Sequence, residues 1–252
     1  MRTLNRPFLV TLIALSVFST TAIAAPVPTF SLEAASINDV PLPQGPSASI
    51  EVLPGDRLTL EVYIRDWSPN AQKLIACQAQ INPASFSSGE KGFIEPFGYE
   101  AARKAGTDNP TQCFINQSHP KYIYQNKTTI PVTDTRSEGY RWLSALINMD
   151  GPLSKQDGTK YYMGSINMLV SGNAHGKFEL SLIDSKDSCQ ILEMSGAQIM
   201  PTKVESVLVT IGQASTADAM RRLIDLANRP AGSLDLLPGS GNVTGLLASG
   251  SK

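Results

Sequence analysis

Histidine is almost missing from this chain: among 252 residues only His119 and His175 occur. A serine or cysteine nucleophile needs a base within reach. One histidine stands directly before Pro120 and the other in a loop ending at Gly176, with no catalytic signature around either. Triad chemistry has no support here. Cysteine is nearly as scarce, with Cys77, Cys113 and Cys189 alone. No CxxC-type spacing joins them, and with two histidines a zinc site has no support either. An odd count leaves at least one thiol unpaired. Charge of one sign is lacking too: 21 basic residues stand against 22 acidic ones. Neither sign dominates a long window, which argues against capture of nucleic acid and against a strongly basic membrane-surface patch. After the first two dozen residues no apolar run is long enough to span a bilayer.

Those first residues read as an address. Arg2 and Arg6 give a positive start, Phe8 to Phe18 form a short apolar run, and Ala22-Ile23-Ala24 supplies a small-x-small cleavage site. Residues 1–24 are expected to be a signal peptide, and the remainder to be exported as a secreted, periplasmic or cell-surface protein with no further transmembrane segment. In such a compartment a disulfide is permitted. Cys77 falls on the inward face of an alternating stretch and reads as a small buried hydrophobe. Cys113 and Cys189, in turn-like surroundings, are the expected pair. Asn116, Asn126 and Asn242 open Asn-x-Ser/Thr sequons, which matter only where the host glycosylates.

Period-two alternation dominates residues 28 to 211. In "IEVLPGDRLTLEVYIRDWSP" (50–69), Leu58, Leu60, Val62 and Ile64 share one face, while Thr59, Glu61, Tyr63 and Arg65 share the other. That is a strand with a dry and a wet side. Pro54-Gly55-Asp56 supplies the bend before it. Further strands are expected over Lys73 to Ile81, Tyr122 to Val132, Tyr140 to Met149, Tyr161 to Val170, Lys177 to Ile183 and Val204 to Ile211. About nine short strands without helical interludes predict an all-β, antiparallel jelly-roll or Ig-like β-sandwich over residues 25–211. Residues 83–112 are too irregular for a strand and read as a long excursion with a helical turn near Tyr99 to Lys104. After Ile211, Ser215 as N-cap and the spacing of Met220, Leu223, Ile224 and Ala227 predict one amphipathic helix within 212–230, ended by Pro230. The glycine- and serine-rich stretch 231–252 is expected to be a flexible tail.

Chemistry-bearing candidates are few. Acids are plentiful, but sequence alone pairs none of them for glycoside hydrolysis. The oxygen-rich loops Asn148-Met149-Asp150-Gly151 and Asp184-Ser185-Lys186-Asp187 are the candidate calcium ligands. Neither matches an EF-hand pattern, and Asx turns account for them more simply. No metal or cofactor is expected. Aromatic rings give the better route to a binding face, since they offer flat apolar surface with a polar edge. Trp67, Tyr63, Trp142 and Tyr161 are the candidate binding residues, with edge-plugging or core packing as the competing role for the two tryptophans.

Val52-x-Pro54-Gly55-Asp56 and the alternation that follows resemble the first hairpin of cohesin-type domains. Gly164-x-Ile166-x-Met168, the loop with Gly172 and Gly176, and Phe178-x-Leu180-x-Leu182 resemble their paired late strands. The resemblance covers residues 28 to 211. It implies a non-catalytic jelly-roll sandwich, related in fold to carbohydrate-binding modules, that binds a dockerin partner or polysaccharide. The insertion at 83–112 and the cysteines depart from the pattern, and the motifs mark no ligand residue. The C-terminal stretch lacks the paired acidic calcium loops of a dockerin. The expected function is a secreted, non-enzymatic binding protein recognising a partner protein or glycan. The alternative is a cell-surface assembly protein attached through its C-terminal helix, with a glycoside hydrolase behind both.

Overall fold

The structure, a computed structural model, describes residues 28–66, 74–87, 91–99, 104, 112–136, 139–147, 160–185, 187–196, 198–199 and 203–213. In chain order its strands are β1 (Thr29–Ile37), β2 (Val40–Pro41), β3 (Ser49–Val52), β4 (Arg57–Arg65), β5 (Leu74–Gln80), β6 (Ile94–Pro96), β7 (Cys113–Phe114) and β8 (Thr129–Arg136). They continue with β9 (Gly139–Leu146), β10 (Tyr161–Val170), β11 (Gly176–Leu180), β12 (Gln190–Glu193), β13 (Gln198–Ile199), β14 (Lys203–Glu205) and β15 (Val207–Ile211). The first layer runs β14-β1-β4-β10-β6, with β2 added to β1 and β7 to β10. The second sheet runs β13-β12-β5-β9-β8. A third, β11-β15-β3, meets it at the bridge between Ile81 and Leu182. The all-β sandwich read from the sequence is the fold.

Alternation decides which side of each strand is dry. Phe30, Leu32 and Ala34 on β1 lie opposite Ile64, Val62 and Leu60 on β4, and all six are fully buried. From the second sheet Trp142 reaches across the core to the first. Its indole N–H donates to the Ser165 carbonyl at 3.0 Å, and its ring fills the space over Gly164, where a Cβ would stand 2.3 Å from the indole. Burying such a ring removes about 200 Å² from water, worth roughly 5 kcal/mol at ~25 cal/mol per Å². The close approach of the sheets at this point requires glycine.

The Pro-Gly-Asp bend is held by its aspartate. Asp56, almost fully buried, accepts from the Leu53 amide and from the Asn38 side chain, both at 2.7 Å. Gly55, at φ +84°, donates to the Val170 carbonyl. The turn therefore ties β4 to the end of β10 and to the β1–β2 turn.

Three departures from the expected strands have local causes. Tyr122 to Lys127 forms turns, with Asn126 at φ +61°, so the weak strand expected over Tyr122 to Val132 begins only at Thr129. The stretch Val204 to Ile211 is broken at Ser206: β14 pairs parallel to β1, and β15 then enters the third sheet between β11 and β3. One run of alternation thus serves two sheets, and both β1–β14 and β3–β15 are parallel rather than antiparallel. Within the excursion 83–112, Asn82 caps a 3-10 turn at Pro83–Ser85, and β6 adds a strand beside β10. Residues 100–103 of the expected helical turn lie outside the described residues, as do the expected signal peptide, helix and tail.

Candidate functional site

The two outer faces of the sandwich differ in kind. On the first layer the outward positions of β1, β4 and β10 carry polar groups in register. Glu33 lies opposite Glu61, Glu61 opposite Ser165, Ser31 opposite Tyr63, and Tyr63 opposite Tyr162. Glu33 takes Lys160 Nζ on both carboxylate oxygens at 2.6 Å and the Ser31 hydroxyl at 2.8 Å. Glu61 accepts the Tyr63 hydroxyl and has His119 Nε2 3.9 Å away. Lys160 Nζ also lies 5.1 Å from the centre of the Tyr63 ring, a cation–π geometry. Arg65 donates to both oxygens of Glu205 at 2.9 and 3.0 Å, and Lys203 joins the same carboxylate.

The segment after β7 closes over this row. The Tyr122 strand bridge to Tyr162 is parallel, and Ile123 N–H and the Lys121 carbonyl bond the Tyr162 backbone on either side. The His119 ring stacks on Tyr162 at 4.2 Å. The Tyr162 hydroxyl is held by the Asn116 amide and Ser165. Burial and the Glu61 carboxylate push the Tyr63 phenol well above its ordinary range. Glu33 and Glu61 are thus an adjacent pair of carboxylates that sequence alone did not show. Both are already engaged: Glu33 by Ser31 of its own strand and by Lys160 just before β10, and Glu61 by Tyr63 of its own strand.

On the second sheet the outward positions form an apolar strip beside a polar row. Ile130 and Val132 on β8 lie opposite Ala145 and Leu143 on β9. Ala145 continues to Ala76 on β5, and Ala76 to Leu192 on β12. Ile130 is 53% exposed and Val132 38%. Ile147, two positions beyond Ala145, and Met194, two beyond Leu192, are exposed as well. A polar row borders this strip: Asp134 pairs with Arg141 through bonds of 3.0 and 2.6 Å, and Arg141 reaches Gln78. Single exposed aliphatics are ordinary, but a strip running across four strands with a polar rim is the pattern of an interaction surface.

The structure gives Trp142 the core role that competed with binding, and it corrects the reading of Tyr63 and Tyr161 as open binding rings. Tyr63 has the outward parity expected of it, yet it is 1% exposed, with the His119 ring and Lys160 against it. Trp142 and Tyr161 point into the core, Trp142 above Gly164 and Tyr161 beside Ile64. None of the three offers an open ring. Trp67 lies outside the described residues. The expected Cys113–Cys189 disulfide is also corrected, since both thiols are free and buried. The Cys113 thiol donates to the Arg141 carbonyl at 3.8 Å, and the Cys189 sulfur sits against the Gln80 backbone. Burial raises all three thiols, Cys77 and Cys189 to about 12, so they are poor nucleophiles. Of the candidate calcium loops, 148–151 lies outside the described residues. Among the described residues no group of three or more His, Cys, Asp or Glu is placed to hold a metal ion, and no helix is long and apolar enough to cross a membrane.

No family model matches the chain, and no curated protein does. Solved structures do. The chain is similar to a cohesin module from a Clostridium perfringens family 33 glycoside hydrolase, at 12% identity and a TM-score of 0.39, over 75% of this chain and 99% of that one. It is similar to the sixth cohesin of Acetivibrio cellulolyticus scaffoldin B, solved in complex with a Cel5 dockerin, at 11% identity and a TM-score of 0.41, over 74% and 99%. A type III cohesin module from the cell-surface anchoring scaffoldin of Ruminococcus flavefaciens matches at 9% identity and a TM-score of 0.40, over 74% and 88%.

Proposed function

We propose that the chain is a secreted, non-catalytic binding module that takes a folded protein partner on the outer face of β12-β5-β9-β8. The aliphatic strip from Ile130 to Leu192, exposed at Ile130 and Val132 and half-buried across β9, β5 and β12, carries this reading. Covering it removes aliphatic surface from water, the main favourable term in protein association, and the Asp134–Arg141 border supplies a polar rim for register. A glycan would instead call for open aromatic rings, and three of the four candidate rings are inside. Secretion rests on the leader-like residues 1–24.

The test uses the full mature chain, tagged, on extracellular material from its source. A Val132→Glu/Leu143→Glu double variant should fold and lose the protein that the parent chain retains, whereas Thr59→Glu on the opposite face should keep it. Retention of a polysaccharide by both forms, with no protein held, would overturn the reading.

A further inference from the structure

The polar row on the first layer contains one group with an unusual set of contacts. His119 lies on the 115–125 segment, between that segment and the sheet. Its Nδ1 accepts the Lys121 amide proton at 3.1 Å, so in this arrangement Nδ1 carries no hydrogen and Nε2 holds the proton. That proton points toward Glu61, whose nearer oxygen is 3.9 Å away. The ring lies flat on Tyr162 and edge-on to Tyr63, with centroids 4.2 and 6.4 Å apart. Acid would place a second proton on Nδ1, facing the Lys121 N–H donor-to-donor. The bond that holds the segment's own turn is then lost.

We propose that His119 is a pH-sensitive latch, which holds residues 115–125 on the sheet when neutral and releases them when protonated. Every charged or titratable group facing it bears on the balance. From β4, Glu61 favours the imidazolium, but at 3.9 Å it is at the outer limit of an ion pair and already accepts the Tyr63 hydroxyl. Tyr63 and, from β10, Tyr162 face it as neutral phenols. Lys121 on its own segment opposes a second positive charge. Lys160 and Glu33, the next pair along the row, neutralise each other. Burial is the largest influence, and it holds the imidazole below its ordinary 6.5.

The sign follows. A base whose value is lower in the closed form than in the open form binds more protons when open. Closure is therefore fully favoured above about 6.5 and weakens as pH falls from there toward the depressed value, by at most about tenfold in the opening equilibrium per pH unit. Release uncovers Tyr162, Tyr63 and Glu61, a ring-and-carboxylate surface that the neutral latch keeps shut.

The experiment is hydrogen exchange on the intact mature chain at pH 7.5 and 5.0, corrected for intrinsic rates. Protection of the Lys121 and Ile123 amides should fall severalfold to tenfold or more in acid, while the Leu60 and Leu32 amides in the sheet stay protected. His119→Gln should abolish the pH dependence, and His175→Gln should leave it unchanged. A direct titration of the His119 ring by NMR in the unaltered chain serves as the second readout if the variant does not fold. A ring titrating at or above 6.5, or equal acid loss in the His119→Gln chain, would overturn the proposal.

Discussion

The two outer faces are built by the same alternation and differ in what they leave unfinished. On β1-β4-β10 the wet side is closed: Lys160 clamps Glu33, Arg65 and Lys203 share Glu205, and the 115–125 segment seals Tyr63 and Tyr162 beneath His119. On β12-β5-β9-β8 an aliphatic strip crosses the outward side, exposed at Ile130 and Val132 and half-buried from Leu143 to Leu192, with Gln78, Gln80 and one ion pair beside it. A face whose polar groups are satisfied within the molecule gives a partner little to gain, because each bond to it replaces an existing one. A bare aliphatic strip retains its full desolvation gain for the partner. The difference is the reason we propose binding on the second sheet and conformational control on the first.

The comparison presupposes a shared core, and the largest expected effect comes from breaking it. Trp142→Ala removes the side chain that spans both layers and should cost about 3–5 kcal/mol in urea unfolding, disabling both faces together. Loss of one face alone would show that they are separate units. Next, Val132→Glu/Leu143→Glu should weaken partner binding by about 2 kcal/mol or more, near thirtyfold. Its stability should move by less than about 1 kcal/mol, since Val132 is exposed and Leu143 only half-buried. A large stability loss would mean that the strip is structural. On the closed face, Lys160→Met leaves Glu33 buried beside an apolar group. That should cost about 1–2 kcal/mol, less than the ~3–5 of a fully buried pair because Lys160 is partly solvated. A Lys160→Met/Glu33→Gln double variant should recover most of it. The smallest effect belongs to the exposed Arg57–Asp39 pair: Asp39→Asn should change stability by less than about 0.5 kcal/mol.

The strands themselves were legible because burial on one side imposes a period of two, which sets the sides of Leu58 to Ile64 and of Ile166 to Val170, although a register shift between Tyr162 and Gly164 interrupts it in the first half of β10. Tyr63 shows where that reasoning stops. Parity gave its side of the sheet correctly, but exposure depends on what else crosses that side, and the path of residues 115–125 is set by turns with no period. The same gap hid the Glu33–Glu61 pairing and the position of His119, since register between β1 and β4 joins residues far apart in the chain. Ser206 shows a second limit: alternation continues through a strand that changes sheets. The thiols show a third, for turn-like surroundings said nothing of which carbonyl each sulfur would meet. The apolar strip was present in the sequence as Ile130, Val132, Leu143 and Ala145, and only the pairing of β8 with β9 brings them onto one surface.

Site-specific photo-crosslinking tests the division of faces most directly. A photoreactive side chain at position 143 and another at 59, each in the otherwise unaltered mature chain, are activated in the source organism's extracellular milieu. A discrete protein adduct from position 143 and none from 59 is the predicted result. Adducts from 59 alone would place binding on the closed face and contradict the account.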